Sequence, residues 1–540
     1  MARVVLRGTT RPETASSEED MERTWSDEQN PIFGWFATGA GNLVIRARAG
    51  TGKTTTVVEG INRAHDGRIL LAAFNKVIAD ELQSRIRKPG AEAKTLHALG
   101  FQFLRQAWPK AKVERKGEGI SRKYGLADRV LPARAPQSLR RAVADLHTAG
   151  RDQLVNHTVA TLLPLAFKQD IVLTGELEDL GYTEDDLAGF ALSCIELAAE
   201  RTEVIDFADM IFLPLRHKWT QRRYDLVVID ECQDMNLAQI ALAQSVARDR
   251  IVVVGDDRQC LYSWRGADAD SLDRLKKLLK AQELGLKTTF RCPKTVVALA
   301  AQLVPDFVAA PAAPEGVVRR VNGVADALSA VGIGDFILSR TNAPLVPLCL
   351  TLLKRGVPAR VRGRDIAAGL TALCKRLETK SGARELPELL TALSVWCHDI
   401  FTATTRKVEA GKLEEEQATE LISDAQQRLD TIVALADGLA SIRELYSRFD
   451  TLFSDSNPVS QVTLSTVHRA KGLEADRVWL LESTFRRKVP CGLDGASETR
   501  WREGDEEQNI RYVAITRAKR ELVWVPGDLG DIEQQEDSAP

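Results

Sequence analysis

Leu43-Val44-Ile45-Arg46-Ala47-Arg48-Ala49-Gly50-Thr51-Gly52-Lys53-Thr54 is the stretch on which the fold turns. Its apolar start reads as a buried strand, its glycines as a tight loop, and the residues from Thr55 onward as a helix. Such a strand–loop–helix is a phosphate cradle. Glycines let backbone N–H groups close around a β-phosphate, and the helix N-terminus adds its dipole. Lys53 reaches the β/γ oxygens, and the Thr54 hydroxyl is placed to hold Mg²⁺. Ala47 stands where the strict pattern wants glycine.

Two further apolar runs end in polar clusters. Leu226-Val227-Val228-Ile229 leads into Asp230-Glu231-Cys232-Gln233-Asp234, which reads as a buried parallel strand delivering carboxylates to its C-terminal edge. Asp230 is placed to hold Mg²⁺, mostly through water, and Glu231 to orient or deprotonate an attacking water. Helix capping is the bland alternative for an acid pair at a strand end. Two acids, a glutamine and a third acid beside a phosphate loop make it the poorer one. Ile251-Val252-Val253-Val254-Gly255 exits into a loop where Gln259 can sense a γ-phosphate and where Tyr262 and Trp264 follow closely. Those rings are either core or base-stacking platforms. Beside a phosphate sensor the stacking reading is favoured, at ~1–3 kcal/mol per base.

Together these runs resemble the UvrD/Rep/PcrA family of superfamily 1 DNA helicases, and the other signatures follow in the family's order from about residue 25 to residue 525. Asp27-Glu28-Gln29 looks like the Q motif, with Gln29 reading adenine. Ala73-Phe74-Asn75-Lys76 and Lys94-Thr95-Leu96-His97 resemble motifs Ia and Ib, which implies DNA contacts from Phe74, Asn75, Thr95 and His97. Thr289-Phe290-Arg291 resembles motif IV, with Phe290 stacking on adenine and Arg291 pointing at the γ-phosphate, and Ser339-Arg340-Thr341-Asn342 resembles the start of the next block. Leu464 to Glu474 is similar to motif V, giving His468 to DNA and Glu474 to the ribose. Tyr512-Val513-Ala514-Ile515-Thr516-Arg517-Ala518-Lys519 is similar to motif VI, with Arg517 as its arginine. The loop residues Ala49, Gly50, Thr51, Gly52 and Thr55 complete the ATP-binding set that the resemblance implies. Thr55 departs from the family by standing where many relatives carry an arginine, and Arg258 stands where they are often acidic or polar.

The resemblance implies an α/β fold of two RecA-like parallel-sheet motor domains, each with a mainly helical insertion. Strand-like runs at 43–47, 69–73, 226–230 and 251–255 suit the first sheet. Those near 336–339, 462–466, 478–482 and 522–525 suit the second. The expected boundaries are a tail at 1–22, motor 1A at 23–97 and 213–288 with insert 1B at 98–212, then motor 2A at 289–365 and 458–526 with insert 2B at 366–457, and an acidic tail at 527–540. At roughly ninety residues, 2B looks smaller than is usual in the family.

A chain of 540 residues exceeds one hydrophobic core, and 44% hydrophobic residues with net charge −2 describe a soluble protein whose DNA path must be a local groove. Eight scattered cysteines include no CxxC, which argues against zinc or an iron–sulfur cluster and suits a reducing, cytoplasmic compartment. No apolar stretch approaches a membrane span, and Met1-Ala2-Arg3-Val4-Val5-Leu6-Arg7 is too short and charged for a signal peptide.

Charge is uneven in the first insert. Residues 101–151 carry twelve Lys/Arg against four Asp/Glu, and residues 170–209 carry one against twelve. The basic half contains Phe101, Phe103, Trp108 and Tyr124, so it reads either as a phosphate-following surface or as an ordinary solvated face. In the second insert, Leu421, Ala425, Leu429, Ile432, Leu435, Leu439, Ile442, Tyr446 and Phe449 recur as one apolar helix face, expected to pack in a bundle.

The implied activity is ATP-dependent 3′→5′ movement on single-stranded DNA coupled to strand separation, with Mg²⁺ as cofactor. Implied partners are single strands and single-strand/duplex junctions, with single-strand-binding, repair or replication proteins and no membrane. The expected location is cytoplasmic, nucleoid-associated in a bacterium. The rivals are a non-unwinding translocase that strips proteins from single strands and an ATP-gated DNA clamp. The lack of an NKxD guanine reader disfavours a GTP switch, and the short run after motif VI disfavours a fused nuclease.

Overall fold

The computed structural model describes residues 24–114, 121–153, 157–168, 171, 181–261, 271–409, 415–453, 461–490, 497–502 and 504–527. The expected tails lie outside these residues, apart from Gly527, as do Tyr262 and Trp264.

Two six-stranded sheets, both wholly parallel, organise the chain. The first runs Ala91–Thr95, Ile69–Ala73, Tyr224–Ile229, Ala247–Gly255, Leu43–Ala47, Gln282–Leu286. The second runs Val317–Arg320, Ala518–Val525, Ala475–Leu481, Phe336–Ser339, Val462–Thr466, Ala359–Val361. In each, the four interior strands are the ones legible as apolar runs, because helices cover both of their faces. The order places the C-terminal ends of Leu43–Ala47, Ala247–Gly255 and Tyr224–Ile229 side by side, which aligns the three polar loops that follow them.

The first insert builds its own helical core around Leu126, Leu139, Val143, Leu146, Leu187 and Ile195. Its charge asymmetry has a structural use. Arg151, 0% exposed, donates to Asp206 at 2.8 and 3.1 Å and to Asp209 at 2.7 Å, while Arg122 also pairs with Asp209. Asp206 and Asp209 are meanwhile the capping box of the helix Phe207–Arg216. Arg122 and Arg151 of the basic half are thus paired with acids of the other half inside the insert. The aromatics follow the same logic: Phe103 is buried, and Phe101, Trp108 and Tyr124 pack on the insert's core. Breaking a buried charge cluster strands the remaining ions, at a cost of about 3–5 kcal/mol. Arg151→Met is therefore expected to destabilise this insert by that amount, read as lost amide-exchange protection in helices Gln137–Gln153 and Phe207–Arg216.

The second insert consists of helices Arg364–Ser381, Leu386–Glu409, Glu415–Ala436 and Ile442–Leu452. The apolar stripe does not lie on one helix, as its spacing suggested. It divides at Gly438, whose φ of +67° ends the first helix, and Leu421 at its start is exposed. Ile432, Leu435, Leu445 and Phe449 face the core shared with Leu373, Leu389 and Leu393.

Candidate active site

The Leu43–Ala47 strand opens into a loop whose Gly50 and Gly52 take φ of +69° and +78°, leading into the helix Lys53–Arg63. A Cβ at Gly50 would come within 2.5 Å of the Arg291 Cβ and 2.6 Å of the Thr289 Oγ1. Only glycine allows residues 289–291 to lie against the loop. The Phe290 N–H donates to the Gly50 carbonyl at 2.9 Å, while the Phe290 ring stays 57% exposed beside it. An aromatic face left open next to a phosphate loop is available to a base.

Lys53 is buried, and its Nζ lies 3.1 Å from both oxygens of Glu231. Glu231 has φ +51°, a left-handed conformation that costs about 1–2 kcal/mol in a non-glycine residue. That backbone turns its carboxylate back toward the loop. Burial works against ionisation of Glu231, but Lys53, Lys471 and the Gln233 amide outweigh it and hold the carboxyl well below the usual range. Asp230 moves the other way, raised by burial and by the Glu231 charge despite Lys53. Its Oδ2 accepts from the Thr54 hydroxyl at 3.4 Å. One carboxylate and one hydroxyl are the hard oxygen donors that Mg²⁺ uses alongside phosphates and waters. Among the described residues no group of three His, Cys, Asp or Glu could hold a metal.

Gln259 is buried and donates to the Asp256 Oδ2 at 2.7 Å. Asp256 also receives Arg48 at 3.2 Å, and its N–H donates to the Gln233 Oε1 at 3.1 Å. Gln233 in turn donates to Glu231 at 2.5 Å. The three loops of the first sheet are thus wired together through polar side chains.

The second sheet meets this cluster with the N-terminal ends of two strands. Arg517 and Glu474 immediately precede Ala518–Val525 and Ala475–Leu481. Arg517, only 1% exposed, donates to the carbonyls of Val513 at 2.9 Å and Leu473 at 3.2 Å and to the Thr516 hydroxyl at 3.2 Å. Burial and the neighbouring Arg291 guanidinium bring Arg517 down to about 10. Arg291 donates to Glu474 at 2.6 Å. Arg291 thus lies against the phosphate loop at Gly50 while paired with Glu474, and Arg517 sits behind it, bonded within its own lobe.

Family comparison agrees with this geometry. Residues 32–280 match the UvrD/REP helicase N-terminal domain, and residues 384–525 match the UvrD-like helicase C-terminal domain. The chain belongs to the UvrD-like helicase family. Its similar relatives include F-box DNA helicase protein 1 of Schizosaccharomyces pombe, 26% identical over 89% of this chain and 55% of that protein. DNA helicase II of Rickettsia typhi is 22% identical over 89% of both chains. ATP-dependent DNA helicase UvrD2 of Mycobacterium tuberculosis is 26% identical over 89% of this chain and 76% of its own. The chain thus spans just over half of the fission-yeast protein's length. As a UvrD-like helicase it is an ATP-hydrolysing enzyme of the DNA helicase class.

The remaining candidate residues of this UvrD-like chain fall into two groups. Gln29 sits at the loop's far end, where its Nε2 donates to the Thr56 hydroxyl at 2.8 Å and its Oε1 accepts from the Ser26 N–H at 3.0 Å. Thr51 is buried with its hydroxyl on the Arg48 carbonyl, Ala49 is buried, and Thr55 accepts from Arg85 at 3.1 Å. Phe74, Asn75, Thr95 and His97 lie at the C-terminal ends of the strands Ile69–Ala73 and Ala91–Thr95. Asn75 and Thr95 spend their side chains on capping the helices that follow, while Phe74 is exposed. His468 follows Val462–Thr466 on the other sheet, and burial together with Arg340, Arg469 and Lys471 lowers it to about 4, so it is neutral near pH 7.

Two residues escaped the sequence reading. Phe207 is 63% exposed and meets the His97 ring edge-on at 5.8 Å. It lies 110 positions from His97, so no local pattern links them. Lys471 crosses between the lobes to Asp234 at 2.6 and 2.8 Å, a largely buried pair that also steadies Glu231. Both partners lie inside recognised motifs, yet only the fold joins them.

Proposed function

We propose that this chain is an ATP-driven motor that moves 3′→5′ on single-stranded DNA and separates strands at single-strand/duplex junctions. The observation that supports this reading is the seating of residues 289–291 against Gly50, in the loop that leads to Lys53 and its partner Glu231, with the Arg517 guanidinium beside that of Arg291. In the proposed assignment 1A spans 23–97 and 213–288, 2A spans 289–365 and 458–526, and the inserts 1B and 2B span 98–212 and 366–457.

ATP phosphates would replace Glu231 as the anionic partner of Lys53. Glu231 then loses the charge that depresses it most strongly and becomes a better base toward the attacking water, a coupling that keeps it idle before substrate arrives. Thr54 and Asp230 would hold Mg²⁺, which when bound neutralises charge on the β- and γ-phosphates. Gln259 would orient about the γ-phosphate, Arg291 and Arg517 would stabilise the charge on the transferring group, and Glu474 would hold the ribose. Gln29 and Phe290 would read and stack on adenine. Because the arginines ride on the second lobe, ATP favours closure and hydrolysis releases it. Phe74, Asn75, Thr95, His97 and Phe207 on one lobe and His468 on the other would grip DNA alternately, joined by Tyr262 and Trp264.

An ATPase titration with single-stranded and duplex oligonucleotides, followed by unwinding of 3′- and 5′-tailed duplexes, tests the reading. Stimulation by single strands and unwinding from 3′ tails alone are expected. Unwinding from 5′ tails alone would reverse the polarity. Displacement of a bound protein without unwinding would favour the remodeller, and background turnover with DNA would favour the clamp.

A further inference from the structure

Two consecutive residues of the phosphate loop are gripped by the second lobe. The Ala49 N–H donates to the Tyr512 hydroxyl at 3.0 Å, and the Tyr512 ring meets the Phe307 ring edge-on at 5.5 Å. Next to it, Arg48 makes a two-pronged contact with Asp306, Nε to Oδ1 at 2.9 Å and Nη2 to Oδ2 at 3.1 Å. Asp306 lies between Val304 and Phe307, both buried in the core of the second sheet with Leu338, Val478 and Leu522. The free edge of the Arg48 guanidinium turns the other way: Nη1 donates to Asp257 at 2.7 Å and to Asp256 at 3.2 Å. Asp256 carries Gln259 on its other oxygen and Gln233 on its N–H, and Gln233 carries Glu231.

Several contacts cross between the lobes, among them Lys471–Asp234 and Asn509 to the carbonyls of Asp257 and Cys260. Arg48 differs from these in its far end, which is the acid that holds Gln259. A planar guanidinium with carboxylates on two sides cannot follow one without shifting against the other. Arg48 is buried, so this happens in a low-dielectric setting where the preference for that geometry is strong.

We propose that Arg48 is a positioning residue that carries the placement of the second lobe, sensed through Asp306, to Asp256 and so to Gln259 and Glu231. Arg48 touches no reacting atom. It makes the hydrolytic groups competent when the second lobe is correctly seated, which is how DNA held across both lobes would reach the ATP site. The inference rests on the motor reading above.

Asp306 is the test position, because it stands outside the nucleotide machinery and is partly solvent-exposed. Asp306→Asn keeps the shape and weakens the charge-assisted pair. Its DNA-free ATP turnover and KM for ATP are expected within about twofold of wild type, with the DNA-stimulated kcat lowered about tenfold, an ordinary size for coupling between sites. Asp306→Glu keeps the carboxylate and is expected to recover part of the stimulation. Full stimulation of a folded Asp306→Asn would overturn the proposal. So would equal losses in DNA-free and DNA-stimulated turnover, with a lowered melting temperature in both variants. Wild-type protein unresponsive to single-stranded DNA would overturn the motor reading instead, and it shows before any variant is made.

Discussion

Glu231→Gln is expected to lower ATP turnover by about 10²–10⁴-fold, the range of general-base catalysis, while ATP still binds. The amide is nearly isosteric, so it can keep the hydrogen bond from Gln233 and the left-handed backbone that aims the side chain. What it loses is the charge. Lys53 then loses the anion that sits 3.1 Å away and keeps Asp230, Asp256 and Asp234 among its neighbouring charges. Phosphate oxygens would meet less competition for that ammonium, so ATP affinity should hold or rise. Single-turnover hydrolysis and equilibrium binding of a fluorescent ATP analogue separate the two effects. Turnover within about threefold of wild type would remove Glu231 from the chemistry.

Arg517→Ala is expected to cost about 10³-fold in turnover, the low end for a phosphate-facing arginine, with ATP affinity changed only a few-fold. Arg517→Lys should rescue little, since an ammonium lacks the planar fork that spans the Val513 and Leu473 carbonyls and the Thr516 hydroxyl. The effect on folding should be smaller than burial alone suggests. Truncation leaves two carbonyls short of a donor, which destabilises, but it also relieves repulsion from Arg291 in a buried setting, which stabilises. A melting temperature within a few degrees of wild type, alongside the large loss in turnover, would separate a catalytic role from a structural one. Unchanged turnover would sink the assignment.

The site was legible wherever chemistry is carried by neighbours in sequence. The loop from Ala49 to Thr54 and the Asp230-Glu231 pair each declare a phosphate or metal partner within a few residues, because backbone geometry and strand ends fix their relative positions. Arg291, Glu474 and Arg517 were legible only through the ordered family resemblance. Nothing local says that residues separated by hundreds of positions meet. In the first insert, composition could not say that Arg151 meets Asp206 and Asp209, more than fifty positions away.

By itself the sequence marked the four interior strands of each sheet, most plainly where burial on both faces gives an apolar run such as Ile251-Val252-Val253-Val254. The equally buried Val462–Thr466, with its three hydroxyl residues, was marked less plainly. The edge strands Ala91–Thr95, Gln282–Leu286, Val317–Arg320 and Ala359–Val361 were settled by tertiary pairing, because an edge has one neighbour and tolerates Glu, Lys, Arg and Gly. The division of the second insert's stripe at Gly438, the internal pairing of the first insert's charges, and the Arg48–Asp306 and Lys471–Asp234 bridges were likewise decided by the fold. Each depends on which distant surface a side chain meets, and an ion pair across lobes leaves no periodic trace along the chain.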